Sequence, residues 1–125
     1  GGGLVVENLP GLFNTPDSLA ALLDPLPELG LHLDIGHANL ETPCNTTQAL
    51  VSRYGERIRH VHLHDNRGGE TDLHLPLGAG TLDWQAALAV VKASGYDATI
   101  TLEVFTEDRH YLAHSRDRLR EAWAA

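Results

Sequence analysis

Methionine is absent from the 125 residues, and cysteine occurs once, at Cys44. A single thiol cannot close an internal disulfide, and without a Cys-x-x-Cys pair there is no thiolate clasp for structural zinc. Cys44 lies beside Pro43 in an expected loop with no cation next to it in the sequence, so it reads as inert and redox chemistry is not expected. No run approaches the ~20 apolar residues of a membrane span, and no basic segment precedes a short apolar stretch as in a signal peptide. A cytoplasmic location is the resulting expectation. Basic residues are scarce: 9 Lys and Arg stand against 17 Asp and Glu, a formal charge of −8. Arg116, Arg118 and Arg120 share one expected helix and the others are scattered, which disfavours nucleic acid and anionic membranes as partners. The Gly1-Gly2-Gly3 opening, in a chain without methionine, suggests a processed, tagged or excised product.

What is present is a composition of 42% hydrophobic and 21% charged residues, that of one globular domain, with eight histidines as its outlier. Four short apolar runs, Leu4 to Glu7, Leu31 to Asp34, Ile58 to His64 and Ala98 to Glu103, alternate with helical patterns. That alternation marks a parallel sheet. Thr15-Pro16-Asp17-Ser18 offers a cap and a first-turn proline to a helix carrying Leu19, Leu22 and Leu23. Asn45-Thr46-Thr47 opens a second helix through Tyr54, stopped by Gly55; Asp83 opens a third, ended by Gly95; Ser115 opens a fourth, carrying Leu119 and Trp123. Tyr54, Trp84 and Trp123 read as core, and His110 and His114 as surface residues of a loop. With no linker or internal repeat, residues 1–125 read as a single α/β domain of four βα units.

A complete eight-stranded barrel needs upward of ~200 residues. Four strands therefore make a half-barrel, with two unpaired edges and an exposed inner face. The expectation is that this chain belongs to a longer protein or pairs with a second copy.

Each run carries a metal-ligating residue at or near its end: Glu7, Asp34, His62 and Glu103. In parallel α/β barrels the strand C-termini open on one face, where catalytic groups converge. Side chains alternate along a strand, so with Asp34 inward, Leu31 and Leu33 face the helices, as do Val61 and Leu63 beside His62 and Ile100 and Leu102 beside Glu103. One layer below lie Val5, His32, His60 and Thr101, read as supporting hydrogen-bond partners rather than ligands. Of the same-parity His60, His62 and His64, His62 is placed at the metal's height, with His64 and Asp65 at the rim. Gly36 would permit a tight turn that brings His37 beside Asp34. Asp72 and His74 would bind a second metal or substrate, or merely order their loop, and Gly78-x-Gly80 is a weak anion signal. Arg67 is a further anion-contact candidate.

Five ordered motifs carry a family resemblance: Glu7-Asn8, Asp34-x-x-His37, His62-Leu63-His64-Asp65-Asn66, the run from Asp72-x-His74 to Asp83-Trp84, and Leu102-Glu103-Val104-Phe105. Together they resemble the C-terminal half of the sugar phosphate isomerase/epimerase superfamily. Its fold is the xylose-isomerase-like TIM barrel, and it also includes apurinic nucleases of the endonuclease IV type. The resemblance implies a parallel (βα)4 half of such a barrel, with Glu7, Asp34, His62 and Glu103 as ligands of one divalent metal. Mn²⁺, Co²⁺, Mg²⁺ and Zn²⁺ all suit such a mixed O/N set.

The implied activity is isomerisation or epimerisation of a sugar or sugar phosphate by proton transfer through a metal-stabilised enediolate. Glu7 and Glu103 would act as base and acid, and His37 would contact substrate. Two alternatives stay open: an apurinic-site phosphodiesterase, for which Asp72 and His74 match zinc ligands, and a non-catalytic metal-binding half-barrel or fragment.

Overall fold

The computed structural model describes residues 3–125, so Gly1 and Gly2, which open the triglycine start, lie outside the described residues. Strands β1 (Val5–Glu7), β2 (Gly30–Asp34), β3 (Ile58–Leu63) and β4 (Ile100–Leu102) alternate with helices α1 (Pro16–Leu23), α2 (Thr47–Tyr54), α3 (Trp84–Ala93) and α4 (Arg109–Ala124). The strands lie in the order β1-β2-β3-β4, and every neighbouring pair is parallel. Each crossover runs through a helix on one side, the arrangement of a parallel βα barrel, here built as four βα units.

Local chemistry sets most of the boundaries. Thr15 and Ser18 form a reciprocal capping box at α1, and Asp83 accepts the Ala86 N–H at the start of α3. Gly95 ends α3 with φ +87, a left-handed conformation that a side chain would strain. At α2 the side chain that caps is that of Asn45, whose Oδ1 accepts the Thr47 N–H at 2.9 Å.

α2 ends at Tyr54 with Gly55 as its C-cap, as expected, and Gly55 keeps a right-handed φ of −53 as the chain enters a 3-10 turn over Gly55–Arg57. Two expectations are corrected. α4 begins at Arg109, capped by Asp108, so His110 and His114 are exposed on a helix rather than in a loop. Ser115 does not open α4 but is buried within it, where its Oγ accepts the Leu77 N–H at 3.1 Å.

The core lies on the helix side of the sheet. Leu31, Leu33, Val61 and Leu63 are fully buried there with Leu19, Leu23, Leu50, Leu88 and Val91. Tyr54 and Trp84 join them, while Trp123 is half-buried against the cluster. The other face carries Val5, His60 and Thr101, all exposed, and His32, half-buried. Among the described residues, no helix is long and apolar enough to cross a membrane.

Candidate metal centre

Register brings the inward residues level. Glu7 pairs with His32, Asp34 with His62, and His62 with Thr101. Glu103 follows β4 directly, and its N–H donates to the Leu63 carbonyl at 3.1 Å, which keeps it in line with the sheet. Two donor groups result. Ligand-capable atoms of Asp34, His62 and Glu103, and of Glu7, His32 and His62, lie within 4.8 Å of one another. An upper group comprises His64, Asp72 and His74, and Asp34 with His37 and His64 joins the two.

A scaffold of amide side chains holds these groups in place. Asn8 Oδ1 accepts the Asp34 N–H at 2.8 Å while its Nδ2 donates to the Asp34 carbonyl at 3.0 Å, extending the sheet by a side chain where β1 has ended. Asn14 Nδ2 donates to the carbonyls of His37 and Leu40, and Asn66 Nδ2 to that of Gly36. Asn8 and Asn66 lie within the sequence motifs, but no local pattern assigns them a task. Their signal was a strand-end position beside a ligand candidate, where an amide can replace a missing ladder bond.

Asp65 and His64 are not at the rim. Both are fully buried, because the segment that follows folds back over them and pairs Leu75 with Asp65. Asp65 accepts four backbone N–H groups, from Asn66 and Leu82 on Oδ1 and from Gly78 and Gly80 on Oδ2. The amides of the Gly78-x-Gly80 turn are therefore spent on an internal carboxylate, and the anion reading of that turn is withdrawn. Arg67 is exposed in the turn after Asn66.

His37 does come back beside Asp34, with Nδ1 3.5 Å from Oδ2, and lies 3.6 Å from Glu7 Oε1. Gly36 is not needed for that turn, since its φ of −63 and ψ of −47 suit any residue.

The electrostatics separate the carboxylates. Burial, and then the neighbouring Asp34 carboxylate, push Glu7 up to about 7. Burial also works against charge on Asp34, but the hydrogen bond and charge of His64 and the His37 N–H outweigh it and lower Asp34 to about 2. For His64 burial again opposes the charged form, and its hydrogen bond to Asp34 prevails and raises it. Burial and the neighbouring His62 lower His32.

The donor set fits a divalent cation. Six buried side-chain N or O atoms lack a hydrogen-bond partner among the described residues, and five of them are His32 Nε2, Asp34 Oδ2, His62 Nδ1, His64 Nδ1 and Asp72 Oδ1. Buried polar atoms are ordinarily paired, and these five lie on residues of the two donor groups, where a cation would supply the missing partner. His62 Nδ1 lies 2.9 Å from Glu103 Oε1 but without the alignment of a hydrogen bond. That separation suits two ligands of one cation of the imidazole-and-carboxylate type.

Comparison with known proteins agrees with this architecture. Residues 3–123 match the Xylose isomerase-like TIM barrel family. The uncharacterized protein MJ1311 of Methanocaldococcus jannaschii is 37% identical over 105 residues, covering 78% of this chain and 35% of that protein. Ketose 3-epimerase of Arthrobacter globiformis is 30% identical over 97 residues, covering 76% and 31%. The crystal structure of a D-tagatose 3-epimerase-like protein superposes with a TM-score of 0.75 at 32% identity, covering 93% of this chain and 45% of that one. A Thermus thermophilus protein soaked with zinc chloride gives 0.69 at 28% identity, covering 94% and 45%. The chain thus spans about a third of the length of the curated relatives and under half of the solved structures. With four parallel βα units and a match over residues 3–123, the chain belongs to the Xylose isomerase-like TIM barrel family, of whose barrel it forms a part.

Proposed function

We propose that this chain supplies the metal-binding part of the active site of a divalent-metal-dependent sugar isomerase or epimerase. The observation that carries the reading is the pair of triads that share His62, Asp34–His62–Glu103 and Glu7–His32–His62, with unpartnered buried atoms on Asp34 and His62. Sugar-epimerising relatives and structural neighbours support the substrate class. In this reading the four side chains hold the cation and His37 contacts the substrate. A bound divalent cation would polarise the sugar carbonyl and adjoining hydroxyl, acidify the neighbouring C–H and offset the negative charge that develops.

The chain's own residues handle the proton. Glu7 stands at about 7 in the metal-free site; beside a bound cation it is held as the carboxylate, the form in which a general base takes up a proton. Glu103 comes from the opposite edge of the four-stranded sheet, so the two carboxylates flank Asp34 and His62. Walls for the substrate come from the strands that complete the barrel, contributed by further βα units or by a second copy of this chain. Light scattering separates these two: a homodimer of half-barrels has twice the chain mass.

The test is exchange of substrate hydrogen with D₂O by the complete, Mn²⁺-loaded protein over a panel of free and phosphorylated ketoses. Exchange that disappears in Glu7→Gln and Glu103→Gln is the expected result. A protein that binds Mn²⁺ and exchanges nothing across the panel is a non-catalytic metal-binding barrel.

A second reading rests on the upper donor group. His37 Nδ1 and His74 Nδ1 donate to the carbonyls of Asn8 and Glu103, which turns both Nε2 atoms toward Asp72 Oδ2, each at 3.0 Å. Imidazoles tied to backbone carbonyls in this way are typical metal ligands. Asp72 and His74 then hold a second cation rather than substrate, as phosphodiester hydrolysis uses. Two cations per chain, with salt-sensitive binding to abasic duplex DNA, would favour this nuclease reading; one cation and no such binding favours the epimerase.

A further inference from the structure

We infer that His64 is a positioning residue for the cation site, acting through Asp34, and that Gly36 is glycine in order to seat it. The inference rests on the metal reading above.

Asp34 offers two oxygens, and the fold uses one. Oδ1 accepts the His37 N–H at 2.9 Å and lies 3.1 Å from His64 Nε2. A carboxylate only accepts, so that ring nitrogen carries the hydrogen and donates it. Oδ2 is buried without a partner. The Asp34 backbone is held on both sides by Asn8. Rotation of the carboxylate would break two hydrogen bonds in a buried site, so the free Oδ2 is presented in one direction.

The seat of His64 is tightly defined. The ring is fully buried and stacks on His74 at 4.0 Å and 22°, and His74 stacks in turn on Phe105 at 4.1 Å and 14°. A Cβ placed on Gly36 would fall 2.0 Å from His64 Cε1, 2.3 Å from Nε2 and 2.5 Å from Nδ1. Gly36 has an ordinary helical φ and ψ, so backbone conformation does not call for glycine there; the imidazole does. Residues 28 apart in sequence are thus matched for one purpose, to bring an N–H donor onto Asp34 Oδ1.

The experiment compares Mn²⁺ affinity and the visible spectrum of bound Co²⁺ in the complete protein and its variants. His64→Leu is expected to weaken Mn²⁺ binding about 10- to 100-fold and to shift the Co²⁺ bands, the scale usual for partners that orient a ligand. His64→Gln, which keeps an N–H near the position of Nε2, is expected to recover most of the affinity. Gly36→Ala should weaken binding alone but add nothing to His64→Ala, where the ring it would strike is gone. That pair keeps the proposal testable even if His64→Leu fails to fold. Unchanged Mn²⁺ affinity and Co²⁺ spectrum in His64→Leu would overturn the inference, as would a Gly36→Ala effect equally large in both backgrounds. A wild-type protein that binds no divalent cation overturns the metal reading as well, whereas tight binding indifferent to His64 overturns this inference alone.

Discussion

The two faces of β2 and β3 are made from alternating residues of the same strands, yet they obey opposite rules. Toward the helices, Leu31, Leu33, Val61 and Leu63 are apolar and fully buried. Toward the barrel interior, His32, Asp34, His62 and the adjoining His64 are ionisable, and each carries a buried atom without a hydrogen-bond partner. A face selected for stability alone would not leave such atoms, since each costs about 1–3 kcal/mol when orphaned. The outer face therefore stabilises the fold, and the inner face holds unpaired donors that fit a cation.

The sharpest test of this division is to remove a donor. Asp34→Ala or His62→Ala is expected to lower divalent-cation affinity by more than about 100-fold, beyond the loss typical of outer partners, while unfolding by urea remains cooperative. Unchanged cation content after either substitution would break the contrast. On the other face, Leu63→Ala should cost about 2–5 kcal/mol in urea unfolding through loss of burial and the cavity left behind. Its cation affinity, measured where the protein is folded, should stay close to wild type.

A third measurement uses pH. The folded pKa of Glu7 is raised from 4.5 to about 7, so its contribution to the metal-free fold is full below 4.5 and is lost as pH rises through 7. Asp34 is lowered from 3.8 to about 2, so its contribution is present above 3.8 and is lost as pH falls toward 2. The thermal midpoint of metal-free protein should therefore decline between pH 4.5 and 7, and Glu7→Gln should flatten that limb. Cation binding below pH 7 should release about one proton, read from calorimetry in buffers of different ionisation enthalpy, because a ligand must first be deprotonated. The smallest effect is reserved for Asp83→Ala, which removes the α3 cap and should cost about 1 kcal/mol with no change in cation affinity.

Much of this contrast was legible from alternation alone. Glu7, Asp34, His62 and Glu103 stood at strand ends with apolar neighbours of opposite parity, and a period of two is the most local of patterns. The parallel sheet and the α1 and α3 caps were equally local, carried by Thr15, Pro16, Asp83 and Gly95. The start of α4 was not, because its first turn, Arg109 to Leu112, is exposed, so no buried apolar residue marks the helix before Ser115 and Leu119.

His64 was placed too high for a different reason. Parity puts it on the inner face but says nothing about what covers it. The cover is the segment through Leu75 and the Gly78-x-Gly80 turn, tied down by Asp65.

By itself, then, the sequence determined the strands, the face each residue takes and the family, since these follow from spacing along the chain. Only the tertiary structure decided that Asp65 is an internal anchor, that Gly36 makes room for an imidazole rather than a turn, and that His64 lies buried between Asp34 and Asp72. Those relations join residues well separated along the chain, as with the 30 positions between Asp34 and His64, and their distance in space is set by packing and not by any local period.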